Sequence, residues 1–177
     1  MRQLLDVETA ARGIRRMAGQ IVEGAGGATN LALVGIRRGG VPLAEKLAAH
    51  IEELERVRVP VGAVDISLYR DDASTALPKP VIGRSDICFE VGGRHIVLVD
   101  DVLYTGRTVR AALDALLDYG RPHKIELAVL VDRGGRELPI QPNFVVRVVE
   151  VAGADRVDVI CEQQGHRAVV YPARGGS

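Results

Sequence analysis

The sequence predicts an α/β protein, a mostly parallel twisted sheet flanked by helices, with a flexible lid and a small C-terminal β extension. Three observations carry that reading. Apolar, β-branched runs at residues 31–36, 96–99 and 125–131 are too short for helices and suit strands buried on both faces. Stretches with apolar residues at helical spacing alternate with them through the first two-thirds of the chain. Each run also leads into a polar loop, and in an open parallel sheet ligands bind outside the carboxyl ends of the strands.

The elements follow in order. Asp6 is an N-cap for a helix whose face is Ala10, Ile14, Met17, Ala18 and Ile21, ending near Gly24. Arg12, Arg15 and Arg16 lie mostly off that face and read as its solvated side. The run Leu31–Ile36 is a strand feeding Arg37, Arg38, Gly39 and Gly40. Pro42 then takes a first helical position, and Leu43, Ala44, Leu47, Ala48 and Ile51 continue the helix. Residues 57–68 are extended, with Pro60 marking a strand start or an edge. A segment from Tyr69 to Gly93 carries Pro78, Pro80, Gly83, Gly92 and Gly93, the composition of an excursion that serves as a lid. Residues 144–151 read as a strand, and residues 156–162 pair with 168–171 as a hairpin around Gln163, Gln164, Gly165 and His166. Residues 173–177 read as a frayed tail.

Composition bounds the function. A chain of 177 residues, 47% apolar, is read as a single domain spanning 1–177 with a sizeable core. Its 23 basic and 23 acidic residues balance, so there is no global attraction to nucleic acid or membrane. Cys88 and Cys161 form neither a metal pattern nor a disulfide framework, which suits a reducing cytoplasm. The four histidines are scattered and support no catalytic histidine. No apolar run is long enough to span a membrane.

The chemistry concentrates at residues 96–108. A buried strand ends in Asp100 and Asp101. Val102, Leu103, Tyr104, Thr105, Gly106, Arg107 and Thr108 then lead into a helix marked by Val109, Ala112, Leu113, Leu116 and Leu117 and stopped by Gly120 and Pro122. The helix N-terminus offers unpaired amides and a positive dipole end, the glycine allows close approach, and two hydroxyls add donors. Two carboxylates beside a phosphate would repel it unless they faced sugar hydroxyls or a cation. The combination therefore describes a site for a phosphorylated sugar with a metal. Asp and Thr are also ordinary turn and cap residues. P-loop ATPases share the acid-ended strand, but no G-x-x-x-x-G-K-[ST] occurs here. The 37–40 loop is a second anion site on the same rim, and Asp132, Arg133, Gly134, Gly135 and Arg136 form a third polar strand end.

These residues carry a resemblance. Apolar strand, Asp-Asp, three variable residues and Thr-Gly-x-Thr are similar to the phosphoribosyl-pyrophosphate signature of type I phosphoribosyltransferases. Residues 34–40, 65–72, 100–108 and 129–139 resemble the PyrR family, in the same order. The resemblance implies a uracil phosphoribosyltransferase that also regulates pyrimidine operons by binding leader RNA in response to UMP or UTP. By it, Thr105 to Thr108 hold the 5-phosphate, and Asp100 and Asp101 engage ribose hydroxyls and Mg²⁺, directly or through water. Arg37, Arg38 and Gly39 belong to the pyrophosphate loop, with a cis peptide between Arg37 and Arg38. Tyr69, Arg70, Asp71 and Asp72 begin the lid, and Val131, Asp132 and Arg133 lie beside the base. Arg12, Arg15, Arg16, Arg136 and Arg147 supply an RNA-facing surface, and the chain forms homodimers or larger homo-oligomers. Two departures stand out: relatives commonly have Thr-Arg-Gly where this chain has Arg37-Arg38-Gly39-Gly40, and His-Arg where it has Gly135-Arg136. Hypoxanthine or orotate as the accepting base, or a regulator with vestigial catalysis, are the alternatives.

Overall fold

A computed structural model describes residues 1–67 and 85–173. The lid residues Tyr69, Arg70, Asp71 and Asp72, and tail residues 174–177, lie outside the described residues. The elements are β1 (Arg2–Leu5), α1 (Val7–Ala25), β2 (Leu31–Ile36), α2 (Gly40–Glu55), β3 (Val61–Val64), β4 (His95–Leu103), α3 (Arg107–Leu117), β5 (Lys124–Asp132), β6 (Phe144–Val148), β7 (Arg156–Glu162) and β8 (Gly165–Tyr171).

Five strands form a parallel sheet in the order β3-β2-β4-β5-β6. The two central strands are the most apolar runs: β2 is buried at every position, and β4 from His95 to Asp100. Alternate residues of these strands feed two cores. Leu31, Leu33, Val97, Val99, Ala128 and Leu130 face α1 and α2, while Ala32, Val34, Ile96, Leu98, Leu127 and Val129 face α3. Ile66, Ile87, Phe89 and Val91 extend the second core under the β3 edge.

α1 behaves as its sequence requires. Asp6 accepts from the Thr9 amide at 2.7 Å, and Ala10, Ile14, Met17, Ala18 and Ile21 are all buried. The helix runs one residue past the expected Gly24, and left-handed Gly26 (φ 67) closes it. Pro42 is the third residue of α2 rather than the first; it still lies within the first turn, where its missing N–H costs nothing. On α3, Val109, Ala112 and Leu116 are buried, but Leu117 is half exposed, because the helix ends there and Asp118 caps it. β6 stops at Val148, three residues before the expected end.

The C-terminal extension is a separate antiparallel sheet, β1-β8-β7. Its hairpin turns at Gln163 and Gln164, as the sequence suggests, but β8 begins earlier, at Gly165. β1 was not foreseen. Four residues give no periodicity, and pairing to β8 together with the burial of Leu5 orders them. Ala173, expected to fray, donates its amide to Asp155 at 2.9 Å. Among the described residues no helix is long and apolar enough to cross a membrane.

Candidate functional site

Because β2, β4 and β5 run parallel, their carboxyl ends deliver three loops to one rim. The acid pair sits at its centre. It belongs to β4 itself rather than following it, since pairing to β5 continues through Asp100 with Val129, Val102 with Val131 and Leu103 with Asp132. Asp100 is 6% exposed, and its Oδ1 accepts the Asp101 amide at 2.9 Å. The Asp101 Oδ1 accepts the Val102 amide at 2.8 Å. Neither carboxylate has an ion-pair partner among the described residues.

Burial pushes the Asp100 carboxyl well above the usual carboxylate range, and the adjacent Asp101 charge adds to it. Burial raises Asp101 as well, partly countered by its hydrogen bonds, while the charge of Asp158 on β7 raises it further. A buried acid pair without a cation is costly to ionise, so the site gains from any ligand that brings hydroxyl donors or a cation. Hard carboxylate oxygens suit Mg²⁺. Among the described residues no third His, Cys, Asp or Glu joins them in a metal-holding cluster, so remaining ligands would come from substrate oxygens and water.

The 104–108 loop follows β4. Gly106, in the left-handed region at φ 92, turns the chain into α3, whose first-turn amides lack helical partners. The Thr105 hydroxyl accepts the Arg107 amide at 3.2 Å. Behind the loop, the Thr105 carbonyl accepts the amides of Glu137 (2.9 Å) and Leu138 (3.2 Å), and Arg107 pairs with Glu137 at 2.7 Å. Asp100, residues 102–109 and Glu137 line a cleft of about 410 Å³.

A second cleft of about 520 Å³ opens at the end of β2, lined by Arg37, Arg38, Val41, Asp65 and Asp86 among others. The Arg37–Arg38 peptide is cis, at the position expected. Both arginines are exposed, and neither guanidinium has a hydrogen-bonding partner among the described residues. Gly39 and Gly40 are required by close approach. A Cβ on Gly39 would collide with the Asp101 carboxylate, and one on Gly40 with the Val99 carbonyl. This contact packs the 37–40 loop directly against the acid pair.

The third loop follows β5 on the same rim. Val131 is buried within β5, and Asp132 ends the strand. The Asp132 carboxylate accepts from Gly134 N at 3.0 Å and pairs with Arg136 at 2.6 Å. The Arg133 side chain is buried and turned toward residues 152–155. Arg136 also donates to the carbonyls of Tyr104 and Ile140, each at 2.8 Å, so its guanidinium serves the loops of the rim. Arg12, Arg15, Arg16 and Arg147 are exposed. Arg16 reaches the Val146 carbonyl at 3.5 Å, but the Val146 side chain packs on Gly13 of α1, so Arg147, the next residue of β6, projects from the opposite face of the sheet; Arg12 pairs with Glu8. Sequence reasoning missed Asp158 and the side-chain roles of Arg133 and Tyr104. Long-range pairing across separate sheets leaves no local signal for them.

Three parallel strand ends, an acid pair and two anion loops define a phosphoribosyltransferase, and the comparisons agree: the phosphoribosyl transferase domain family matches residues 1–161. The chain belongs to that family and, within it, to the bifunctional PyrR proteins. It is 56% identical to the bifunctional protein PyrR of Roseiflexus sp. (strain RS-1) over 156 residues, 88% of this chain and 85% of the relative. It is 52% identical to that of Pelotomaculum thermopropionicum over 169 residues, 95% of this chain and 93% of the relative. Among solved structures, the hypoxanthine phosphoribosyltransferase of Trypanosoma cruzi shares the fold with a TM-score of 0.70 at 20% identity, covering 95% of both chains.

Proposed function

We propose that this chain transfers the ribose 5-phosphate group of phosphoribosyl pyrophosphate to uracil, giving UMP and pyrophosphate, and that it regulates pyrimidine operon expression through RNA. The observation that carries the catalytic reading is the acid pair, Asp100 buried and Asp101 half-buried, with no basic side chain paired to either among the described residues and set between an exposed arginine loop and a helix N-terminus.

The roles follow from that arrangement. The 105–108 loop binds the 5-phosphate through first-turn amides and the hydroxyls of Thr105 and Thr108. Arg37, Arg38 and the Gly39 backbone take the pyrophosphate, where guanidinium groups offset the charge that grows on the leaving group. Asp100 and Asp101 hold the ribose hydroxyls and favour positive charge developing on the sugar carbon as the bond to pyrophosphate breaks and the bond to a uracil nitrogen forms. Mg²⁺, when bound by these acids and the substrate's oxygens, supplies Lewis-acid charge neutralisation. Val131, Asp132 and Arg133 lie beside the base.

The regulatory half would rest on the exposed Arg12, Arg15 and Arg16 of α1, meeting RNA through phosphate contacts, with the exposed Arg147 on the other face of β6. Arg136 contributes through the rim that it braces. Self-association belongs to the same reading.

The test is Mg²⁺-dependent consumption of phosphoribosyl pyrophosphate with uracil, hypoxanthine and orotate in turn. Turnover with uracil is expected. Turnover with hypoxanthine and not uracil would overturn the base assignment.

A further inference from the structure

Tyr104, in the loop after β4, and Arg133, in the loop after β5, meet face to face at the rim. The Arg133 Cζ lies 3.9 Å from the Tyr104 ring centroid. The same guanidinium donates to the carbonyls of Asp155 at 2.6 Å and Ala152 at 3.1 Å, with Gly153 at 3.5 Å. Tyr104 completes the junction from its far end, its hydroxyl donating to the Gly153 carbonyl at 3.0 Å. The main chain agrees with the side chains, for the Arg133 amide donates to the Leu103 carbonyl at 3.1 Å.

Two further observations show that this junction is built. Arg133 is 6% exposed, and no carboxylate among the described residues pairs with it; the neighbouring Asp132 carboxylate is taken by Arg136. Burying a guanidinium against carbonyls alone is expensive for mere filling, which an apolar side chain would do at lower cost. Its planar fork instead reaches several carbonyls of one turn at once, which a lysine ammonium does not reproduce. Second, Gly135 (φ 77) lies so close to the Tyr104 ring that a Cβ there would enter it, so the ring is confined on a second side.

The 152–155 turn leaves β6 at the end of β5, where the Val149 amide donates to the Asp132 carbonyl at 2.9 Å. It leads into β7, which carries Asp158 toward the acid pair. Its position therefore bears on the base end of the site, while Tyr104 belongs to the loop at the phosphate end. We propose that Arg133 is a positioning residue, whose guanidinium locks the 152–155 turn to the phosphate loop and so sets the distance between the base and phosphate ends of the nucleotide site. This inference rests on the nucleotide site proposed above. It separates the role of the Arg133 side chain from that of its backbone beside the base.

Titration calorimetry on the full chain tests it, with UMP and ribose 5-phosphate as probes and Arg133→Met, Arg133→Lys and Tyr104→Phe as variants. UMP touches both ends of the site; ribose 5-phosphate touches one. Arg133→Met is expected to weaken UMP about 10-fold, the size of one charge-assisted hydrogen bond, with ribose 5-phosphate held within about 2-fold. Arg133→Lys is expected to recover less than half of that loss in logarithmic terms, and it carries the test if the methionine variant does not fold. Tyr104→Phe, losing only the hydroxyl contact, should cost UMP about 3-fold. Equal weakening of both probes, or unchanged UMP binding in either arginine variant, would overturn the proposal. If the unaltered protein takes IMP in place of UMP, the pyrimidine reading fails by itself, and the comparison with ribose 5-phosphate is decided with IMP by the same criteria.

Discussion

The strands β4 and β5 bury acids at both ends, and two of them, Glu126 and Asp100, are treated in opposite ways, while Asp132 at the carboxyl end of β5 has its cation in Arg136. At the amino end, Glu126 is 9% exposed and is met by His95 and Lys124, each at 2.8 Å. At the carboxyl end, Asp100 is buried as deeply and meets only another acid and backbone amides. Burial alone raises all three carboxyls. At Glu126 the hydrogen bonds and charges of Lys124 and His95 outweigh burial and leave it below its ordinary value, whereas Asp100 and Asp101 stay above theirs. An acid with its cation supplied by the chain belongs to the structure. An acid pair left without one, where two anion loops converge, awaits a ligand.

His166 sharpens that criterion. It is 1% exposed, and neither ring nitrogen has a hydrogen-bond partner among the described residues, yet it lies on β8 away from the rim. A missing partner marks a site only where loops and a cleft bring a ligand to it.

The largest effect separating the two ends is expected from Asp101→Asn, which should lower turnover by about 100-fold or more, the range for loss of a group that stabilises transition-state charge. Steady-state kinetics beside a thermal melt checks it, and the melting temperature should hold or rise, because a buried charge without a partner is removed. Glu126→Gln should do the reverse. Loss of a buried, charge-assisted pair is expected to cost about 1.5–3 kcal/mol by urea unfolding, with kcat/KM unchanged in the folded protein.

The pH dependence distinguishes them next. Because the folded Glu126 carboxyl lies below its ordinary value of 4.5, its contribution to stability is present above that pH and is lost as the pH falls through the folded value. Melts from pH 3 to 6 should show a shallower acid limb in Glu126→Gln, and an unchanged limb would mean that the pair is not formed (about a few degrees of difference is expected). A further pH effect falls at His166, where burial, and then the charge of Lys46, lowers the ring to about 4 from 6.5. The unfolded chain takes up that proton first, so stability declines as pH drops from 6.5 toward 4, and His166→Leu should flatten that decline in the same melts.

Much of this contrast was legible in the residues themselves. The run from Ile96 to Thr108 announces strand, acids, phosphate loop and helix within a few residues, because local periodicity and loop chemistry coincide there. Leu31–Ile36 and its Arg-Gly loop are readable for the same reason. The paired end was not read: His95, Lys124 and Glu126 come together only through strand register, and no local pattern distinguishes Glu126 from a solvated acid. β1 and the Arg133–Tyr104 junction escaped in the same way, since each depends on contacts between segments far apart in the chain. The contacts of the Arg136 guanidinium with Asp132 and the carbonyls of Tyr104 and Ile140 likewise depend on the folded loops and leave no mark in the sequence.

On the proposed reading the partnerless acid pair, rather than the buried Glu126, holds the ribose donor. Binding of phosphoribosyl pyrophosphate with Mg²⁺ to the unaltered chain, to the Asp100→Asn and Asp101→Asn double variant and to Glu126→Gln tests it most directly by calorimetry. The account predicts that the double variant loses at least about 10-fold in affinity, as removal of charged hydrogen-bond acceptors should, and that Glu126→Gln binds as the unaltered chain does. Equal affinity for all three proteins would contradict it.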